Sequence, residues 1–338
     1  MSEVAVSLLH DPCELAGLST PRDWPALTTD TFRQHAPDAS LVVPRGDGGA
    51  RARCSLWRTA TPPLDGERVG AIGHYAAGDD EAARALLDAA CAELARRGCS
   101  LAVGPMDGNT WRSYRLVTEP GSEPPFFLEP VNPPEWPVQW RQAGFAPLAH
   151  YASALDVDLA RHDARGDRAA ERLAALGVTL RALDVDAFDE ELSRIYSVAE
   201  VSFRQNFLYT PLPEDAFAAQ YRQVRPLVVP ELVLIAEHEG RAVGFAFTIP
   251  DALERQRGER VRTAIIKTVA ILPELRYGGL GTWLVESTRR AAHRLGFERA
   301  VHALMHDTNA SRAISARTGA SMRGYTLFAR TLAWRTLA

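Results

Sequence analysis

The 338-residue chain has no long apolar run, few cysteines and almost no lysine. No stretch of ~18 consecutive apolar residues occurs, so we expect no membrane-spanning helix and no membrane partner. The first residues of the sequence carry carboxylates and no basic segment, which argues against a secretory signal. These absences predict a cytoplasmic protein.

The four cysteines form no Cys-x-x-Cys pair and no cluster with histidine. Zinc sites and thiol redox motifs usually show such spacing. We therefore predict free thiols in a reducing compartment and no metal site.

Neither sign of charge dominates: 38 lysines and arginines stand against 42 aspartates and glutamates, for a net charge of −4. Proteins that bind nucleic acids usually carry a basic excess, so we expect no nucleic-acid partner. The balance still allows a local basic site for a small anion. Lys267 is the only lysine and lies in an apolar segment, which predicts that a structural ion pair holds its charge.

The composition is otherwise typical of globular proteins, with 46% hydrophobic and 24% charged residues. At about 150 residues per domain, the length corresponds to about two domains. A charged, helix-prone segment ends at Gly177 and divides the chain nearly in half. We predict a first domain over residues 1–158, a connecting helix over 159–177 and a second domain over 178–338.

Strands and helices alternate clearly in the second half. The patterns predict the order β-α-α-β-β-β-α-β-α-β. In chain order, the predicted elements are 178–183, 188–202, 214–223, 232–237, 242–249, 264–272, 282–295, 300–305, 310–318 and 322–332.

The first half echoes part of this order. Residues 85–109 read ALLDAACAELARRGCSLAVGPMDGN, and residues 283–309 read WLVESTRRAAHRLGFERAVHALMHDTN. Each stretch predicts a helix, a glycine that ends it, a buried strand, a methionine and a polar turn with asparagine. We therefore predict an internal repeat of one domain.

The segment most indicative of chemistry is the glycine-rich turn between a predicted strand and the helix that follows it. Gly278, Gly279 and Gly281 have no Cβ, so the backbone can approach a ligand closely. Amides at a helix start, with the helix dipole behind them, favour a pyrophosphate. The spacing fits neither a Walker A motif nor the GxGxxG dinucleotide motif.

The turn contains R-x-x-G-x-G, formed by Arg276, Gly279 and Gly281, and it resembles the GNAT acyltransferase superfamily. The resemblance extends over roughly residues 178–337. It implies an α/β fold (α+β by some schemes) of two GNAT-like domains, each a mixed, mostly antiparallel sheet flanked by helices. It also implies acetyl-CoA as co-substrate and no metal. By resemblance, the acyl-CoA residues are Val269, Ile271, Arg276, Tyr277, Gly278, Gly279, Leu280, Gly281, Thr282 and Asn309.

The resemblance implies an N-acetyltransferase in which a primary amine attacks the thioester directly in a ternary complex. The acceptor would be a small-molecule or peptide amine, and the protein a monomer or homodimer. Two alternatives stay open: an acyl-CoA-binding pseudoenzyme or regulatory module, and a transferase that uses aminoacyl-tRNA or long-chain acyl-CoA.

The catalytic residues are less clearly indicated. Many family members carry an acid tyrosine on the short helix after the asparagine, where this chain has Ser315 and Ala316. Tyr325, on the last strand, could supply the acid or be a half-buried strand residue. His306 could act in catalysis or bind substrate, or be a loop histidine, and Glu237 is a further base candidate.

The first half lacks the glycine-rich turn. At the matching place, three carboxylates, Asp79 to Glu81, precede or begin a helix and would repel a pyrophosphate. We therefore predict that the first half does not bind acyl-CoA. Two aromatic loops, 104–115 and 120–137, could line a substrate cleft or pack against the other domain. We expect the acceptor between the halves, near the polar insertion 250–261.

Overall fold

The structure is a computed structural model that describes residues 4–22 and 24–332. No helix in these two ranges has both the length and the apolarity that a membrane span requires. The helices are α1 (Thr29–His35), α2 (Asp80–Arg96), α3 (Glu135–Gln142), α4 (Ala164–Ala175), α5 (Phe188–Phe203), α6 (Glu214–Val224), α7 (Ala252–Gln256), α8 (Leu280–Arg294) and α9 (Ala310–Ser315).

The strands of the two halves belong to one sheet. The strands are β1 (Ser7–Leu9), β2 (Ala39–Pro44), β3 (Ala50–Trp57), β4 (Val69–Ala77), β5 (Leu101–Gly104), β6 (Leu116–Glu119), β7 (Ala146–Asp156), β8 (Thr179–Ala182), β9 (Val233–His238), β10 (Arg241–Pro250), β11 (Thr263–Ile271), β12 (Arg299–His306) and β13 (Ala320–Thr331).

The order of strands repeats outward from the centre of the sheet. The central strands are β13 and β7, which pair antiparallel. On one side follow β5, β4, β3 and β2, and on the other β12, β11, β10 and β9. The pairs β4–β5 and β11–β12 are parallel, at matching places in the two series. This topology confirms the predicted fold class and the tandem repeat.

Each half gives its last strand to the sheet of the other half. The first half ends with β7, which pairs with β12 of the second half, and β13 of the second half pairs with β5 of the first. The two halves therefore share a continuous set of backbone hydrogen bonds. The domain boundaries at 158 and 178 stay a prediction, because strand exchange joins the halves across any single cut.

The connecting helix is present as α4, five residues shorter at its start than predicted. Asp163 caps it by accepting a hydrogen bond from the Arg165 amide, and Gly177 follows it with a φ of 92°. The left-handed conformation at Gly177 is the helix-ending role that the sequence predicted. The helix packs against α8, which places it beside the glycine-rich turn.

The two aromatic loops of the first half pack against the second half. The side chain of Phe126 is buried in the core around α5, and the Phe127 amide donates to Asp251. The indole of Trp111 donates to the Thr210 carbonyl and lies against Phe217. The insertion 250–261 contains α7 and holds to the same segment through Arg257, which donates to the Pro125 carbonyl; the acceptor position near it stays a prediction.

A buried ion pair fastens β7 to α8. Arg289 is 1% exposed and donates to Asp156 at 2.5 Å and to Glu286 at 2.6 Å. Its remaining N–H groups donate to the carbonyls of Asp158 and Arg161. Because the guanidinium serves four acceptors, the last strand of the first half is tied to a helix of the second.

Buried histidines predict that the protein loses stability in mild acid. Burial lowers the pKa of His74 to about 3 and that of His302 to about 4. An unfolded histidine has a pKa of about 6.5, so the unfolded chain binds more protons below that pH. The free energy of unfolding should therefore fall from about pH 6.5 downward, by up to about 1.4 kcal/mol per histidine and pH unit.

Urea unfolding at about pH 7 and about pH 5 measures this slope. His302→Leu is the matched variant, because the buried Nε2 of His302 has no hydrogen-bond partner to lose. This variant should take up about one proton fewer on unfolding, which reduces the slope of the unfolding free energy against pH. An unchanged slope in this variant would show that His302 does not contribute.

Candidate functional site

The strands β11 and β12 separate in the middle of the second half. They pair in parallel from Thr263 with Arg299 to Ile266 with His302, and their register ends there. At the next residue, Lys267, the register of β11 with β10 shifts by a bulge. The edge of β11 that faces β12 is therefore open from Lys267 to Ile271, the stretch that includes Val269 and Ile271 of the expected acyl-CoA residues.

The glycine-rich turn begins the next helix with free amides. Gly279 has a φ of 84°, which glycine adopts without strain, and α8 starts at Leu280 without a side-chain cap. The amides of Leu280, Gly281 and Thr282 therefore have no side-chain partner. They also have no acceptor inside the helix, because the first amides of any helix lack one. This geometry suits the pyrophosphate predicted from the sequence.

The side chains of the turn have structural partners. The Tyr277 hydroxyl donates to His238 Nδ1 at 3.0 Å, and His238 Nε2 donates to the Leu176 carbonyl. Arg276 forms an ion pair with Glu274 at 2.8 Å. Tyr277 thus anchors the turn. Glu274 partly neutralises the charge that Arg276 could offer to a pyrophosphate. The side chain of Asn309 caps α9 through the Ser311 amide.

Two arginines beside the turn were missed from the sequence. Arg172, on α4, donates to the carbonyls of Arg276 and Gly278. Arg317, after α9, donates to the Thr282 hydroxyl at 3.1 Å. Both lie far from the turn in sequence, and only the packing of α4 and α9 against α8 brings them there.

We expect Arg172→Met to weaken acyl-CoA binding about 10-fold, since each hydrogen bond from a charged group contributes about 1.5 kcal/mol or more. The cause would be a loosened turn and the loss of one nearby positive charge. Arg168→Met is the matched control: this exposed arginine on the same helix has no ion pair in the part of the chain described. Calorimetric titration measures the acyl-CoA affinity of both variants. Equal affinities of Arg172→Met and Arg168→Met would contradict the role of Arg172.

Of the predicted catalytic residues, His306 lies at the end of β12, one of the two strands that border the cleft left by their separation. Its ring contacts those of Tyr151 and Phe207, with centroids 4.9 and 5.4 Å away. Burial lowers its pKa. The Thr308 amide donates to Nδ1 at 3.2 Å, so the neutral ring carries its proton on Nε2. His306 therefore presents an N–H donor, which suits hydrogen bonding to a developing negative charge better than a role as base.

Tyr325 and Glu237 are held by other side chains. Tyr325 is 1% exposed, and its hydroxyl bonds Glu129 and Ser153. Burial, followed by Glu129, raises the pKa of this hydroxyl. Glu237 accepts two hydrogen bonds from Arg181, at 2.7 and 3.0 Å. Both placements favour structural roles, and catalytic roles for the two residues stay predictions.

Lys267 forms no ion pair within residues 4–22 and 24–332, contrary to the expectation from the sequence. Its side chain is open to solvent, yet it lies in a recess whose protein atoms desolvate it and lower its pKa. Arg115 of the first half lowers the pKa further. Arg115 of the first half is thus within electrostatic reach of a residue on β11 of the second half.

The matching place in the first half is closed. The pairing of β4 with β5 ends at Ala71 with Val103, but the Met106 amide then donates to the Ile72 carbonyl at 2.8 Å. At the start of α2, the Asp79 side chain accepts from the Ala82 amide at 2.8 Å. A backbone hydrogen bond thus closes the edge of β4, and the Asp79 carboxylate occupies the start of α2. Both observations support the prediction that only the second half binds acyl-CoA.

One group of side chains in the first half has metal-like spacing. The ligand atoms of His35, His74 and Asp107 lie within 4.8 Å of one another. However, His35 Nδ1 and His74 Nε2 already share a hydrogen bond of 2.9 Å. The positive charge of Arg112 acts on both rings and, after burial, lowers the pKa of His35 to about 4. A cation is disfavoured there, and we retain the prediction of no metal.

Comparison with known proteins identifies relatives of the chain. Residues 191–319 match the family model described as acetyltransferase (GNAT) family. The chain is 24% identical over 303 residues to bacterial ceramide synthase of Caulobacter vibrioides, covering 80% of this chain and 77% of that protein. It is 26% identical over 202 residues to protein YghO of Escherichia coli, covering 56% of this chain and 50% of that one.

Solved structures show the same fold. A GCN5-related N-acetyltransferase from Sphaerobacter thermophilus superimposes with a TM-score of 0.51 at 13% identity, over 97% of this chain and 96% of that one. A tandem GNAT protein from the clavulanic acid biosynthesis pathway gives 0.51 at 15% identity, over 97% and 99%. Residues 191–319 therefore resemble the acetyltransferase (GNAT) family, and the chain as a whole is similar in fold to a tandem GNAT protein.

Proposed function

We propose that the protein transfers an acetyl group from acetyl-CoA to a primary amine at the cleft of its second half. The observation that carries this proposal is the combination of an open edge on β11 with an uncapped glycine-rich start of α8. The strand edge offers backbone groups to a pantetheine arm, and the helix start offers amides to a pyrophosphate.

The reaction is a direct exchange of bonds. The amine nitrogen forms a bond to the thioester carbonyl carbon, and the carbon–sulfur bond breaks. The amine gives up one proton, and the leaving thiolate takes one up. Backbone N–H groups near the bulge at Lys267 can stabilise the negative charge on the carbonyl oxygen. His306, with its proton on Nε2, is our candidate for the hydrogen-bond donor to the thiolate, which takes up the proton that the amine releases.

Longer acyl chains are the second candidate donor. The relative named ceramide synthase supports them, and so does the aromatic wall of the cleft formed by Tyr151 and Phe207. Such a wall can bury methylene groups, each worth about 0.8 kcal/mol. A small cleft closed by the same rings would instead select acetyl.

The test compares acetyl-, octanoyl- and palmitoyl-CoA by calorimetric titration and by amine-dependent release of free thiol. We expect acetyl-CoA to bind and to release thiol when a suitable primary amine is present. Release only with the longer donors would establish the second candidate. Tight binding without release across an amine panel would leave an acyl-CoA-binding pseudoenzyme, and no binding of any donor would refute the proposal.

A further inference from the structure

Arg115 is a buried cation without an anionic partner. It is 6% exposed, and its guanidinium carbon lies 4.0 Å from the ring centre of Tyr114 and 4.3 Å from that of Tyr151. Nη1 donates to the Tyr114 hydroxyl at 2.7 Å, whereas the buried Nε has no hydrogen-bond partner. In the described part of the chain, no carboxylate pairs with Arg115. Buried charges in proteins are normally paired, and here two tyrosine faces and one hydroxyl compensate the charge without an anion.

Lys267 is a second positive charge within electrostatic reach of Arg115. It is the only lysine of the sequence, it sits at the bulge of β11, and Arg115 acts on it electrostatically. The charge of Arg115 also reaches His306. Glu129, which bonds the Tyr325 hydroxyl near Arg115, is paired with Arg323. The two like charges repel each other, and a bound anion would relieve this repulsion.

The backbone around the cleft is held in a strained conformation. Arg115, Leu208 and Leu304 have φ angles of 67°, 54° and 58°, in the left-handed region that side chains disfavour. Local contacts fix two of them: the Leu304 amide donates to Ser153, and the Leu208 carbonyl accepts from Thr110. Strain of this kind is typical of ligand sites, where the surrounding structure maintains it.

We propose that Arg115 and Lys267 bind an acidic group, a carboxylate or a phosphate, of the substrate of the proposed acyl transfer. The planar guanidinium and the compact ammonium suit an oxygen anion held from two sides. The claim that the acid belongs to a substrate rests on the proposed function, whereas the claim that an anion binds here does not. The acid can belong to the amine acceptor or to the acyl chain of the donor.

The single lysine makes the anion site directly observable. Protein grown with lysine labelled isotopically at Cε gives one lysine NMR signal, whose pH titration reports the Lys267 ammonium. We expect inorganic phosphate and acetate to shift this signal and to raise the apparent pKa of Lys267, relative to chloride at equal ionic strength. Arg115→Met should remove most of the shift, and Arg168→Met should keep it. A signal that phosphate and acetate leave unmoved would refute the anion site.

Substrate pairs then distinguish the source of the acid. Succinyl-CoA against acetyl-CoA tests the donor, and acid-bearing amines against their neutral amides test the acceptor. We expect one of these preferences, and its loss by about 10- to 100-fold in Lys267→Met, with rescue in Lys267→Arg. Equal rates and affinities within every pair would refute the proposal that the acid is part of a substrate. Absence of acetyl-CoA binding would refute the proposed function alone, since the NMR titration with phosphate needs no acyl donor.

Discussion

Gly281→Glu should weaken acyl-CoA binding by about 100-fold. The substitution places a carboxylate in the first turn of α8, beside the amides of Leu280 and Thr282. A carboxylate and a pyrophosphate charge about 6 Å apart, at an effective dielectric constant of about 20, repel each other by roughly 3 kcal/mol. A negative charge at a helix start stabilises the helix itself, so the loss should concern binding and not folding.

A control substitution distinguishes the effect of the added negative charge from the effect of the added side-chain volume. A Cβ at position 281 would meet only Ile314 Cδ1, at 3.5 Å, which is an ordinary contact. Gly281→Ala should therefore bind acyl-CoA nearly as the parent does. Position 279 is a poorer choice, because its φ of 84° would strain any side chain. Calorimetric titration with acetyl-CoA measures each variant, and unchanged affinity in Gly281→Glu would mean that the pyrophosphate binds elsewhere.

Arg289→Met should cost about 3–5 kcal/mol of unfolding free energy, the largest stability effect that we expect. Methionine fills most of the space but leaves Asp156, which is fully buried, without its cation. An unpaired buried carboxylate is far more costly than the absence of the whole pair. The lost contact joins β7 to α8, so the link between the two halves weakens with it.

The neighbour Arg290 provides the comparison. Its side chain is 41% exposed and pairs with Asp167 and Glu286, so Arg290→Met should cost about 1 kcal/mol or less. Adding Asp156→Asn to Arg289→Met should restore part of the stability, because it removes the unpaired charge. Chemical denaturation monitors all four proteins. If Arg289→Met and Arg290→Met are equally mild, the ion pair does not stabilise the fold as we describe.

The second half could be predicted closely from the sequence because its signals are local. Glycines at 177, 279 and 296 all have positive φ and mark helix ends or starts where the pattern placed them. The helices and strands of this half match the predicted ranges to within a few residues. The strand β2 and helix α1 of the first half were not predicted.

The assembled cleft could not be predicted, because it depends on distant contacts. Arg172 reaches the turn from more than a hundred positions away, and Arg115 reaches Lys267 from the other half. The bulge that places Lys267 in a recess leaves no mark in an apolar strand pattern. An ion pair was expected for Lys267 because its apolar segment predicted burial, whereas the opening beside β12 leaves no signal in the sequence.

The exchanged strands also govern how the chain can fold as it is made. The strand β5 is complete at Gly104, but its neighbour β13 begins only at Ala320, roughly 200 residues later. At roughly 5–20 residues per second, a ribosome needs roughly 10–40 s to supply it. Throughout that interval the nascent first half displays an unpaired strand edge, the kind of surface on which chaperones and aggregation compete.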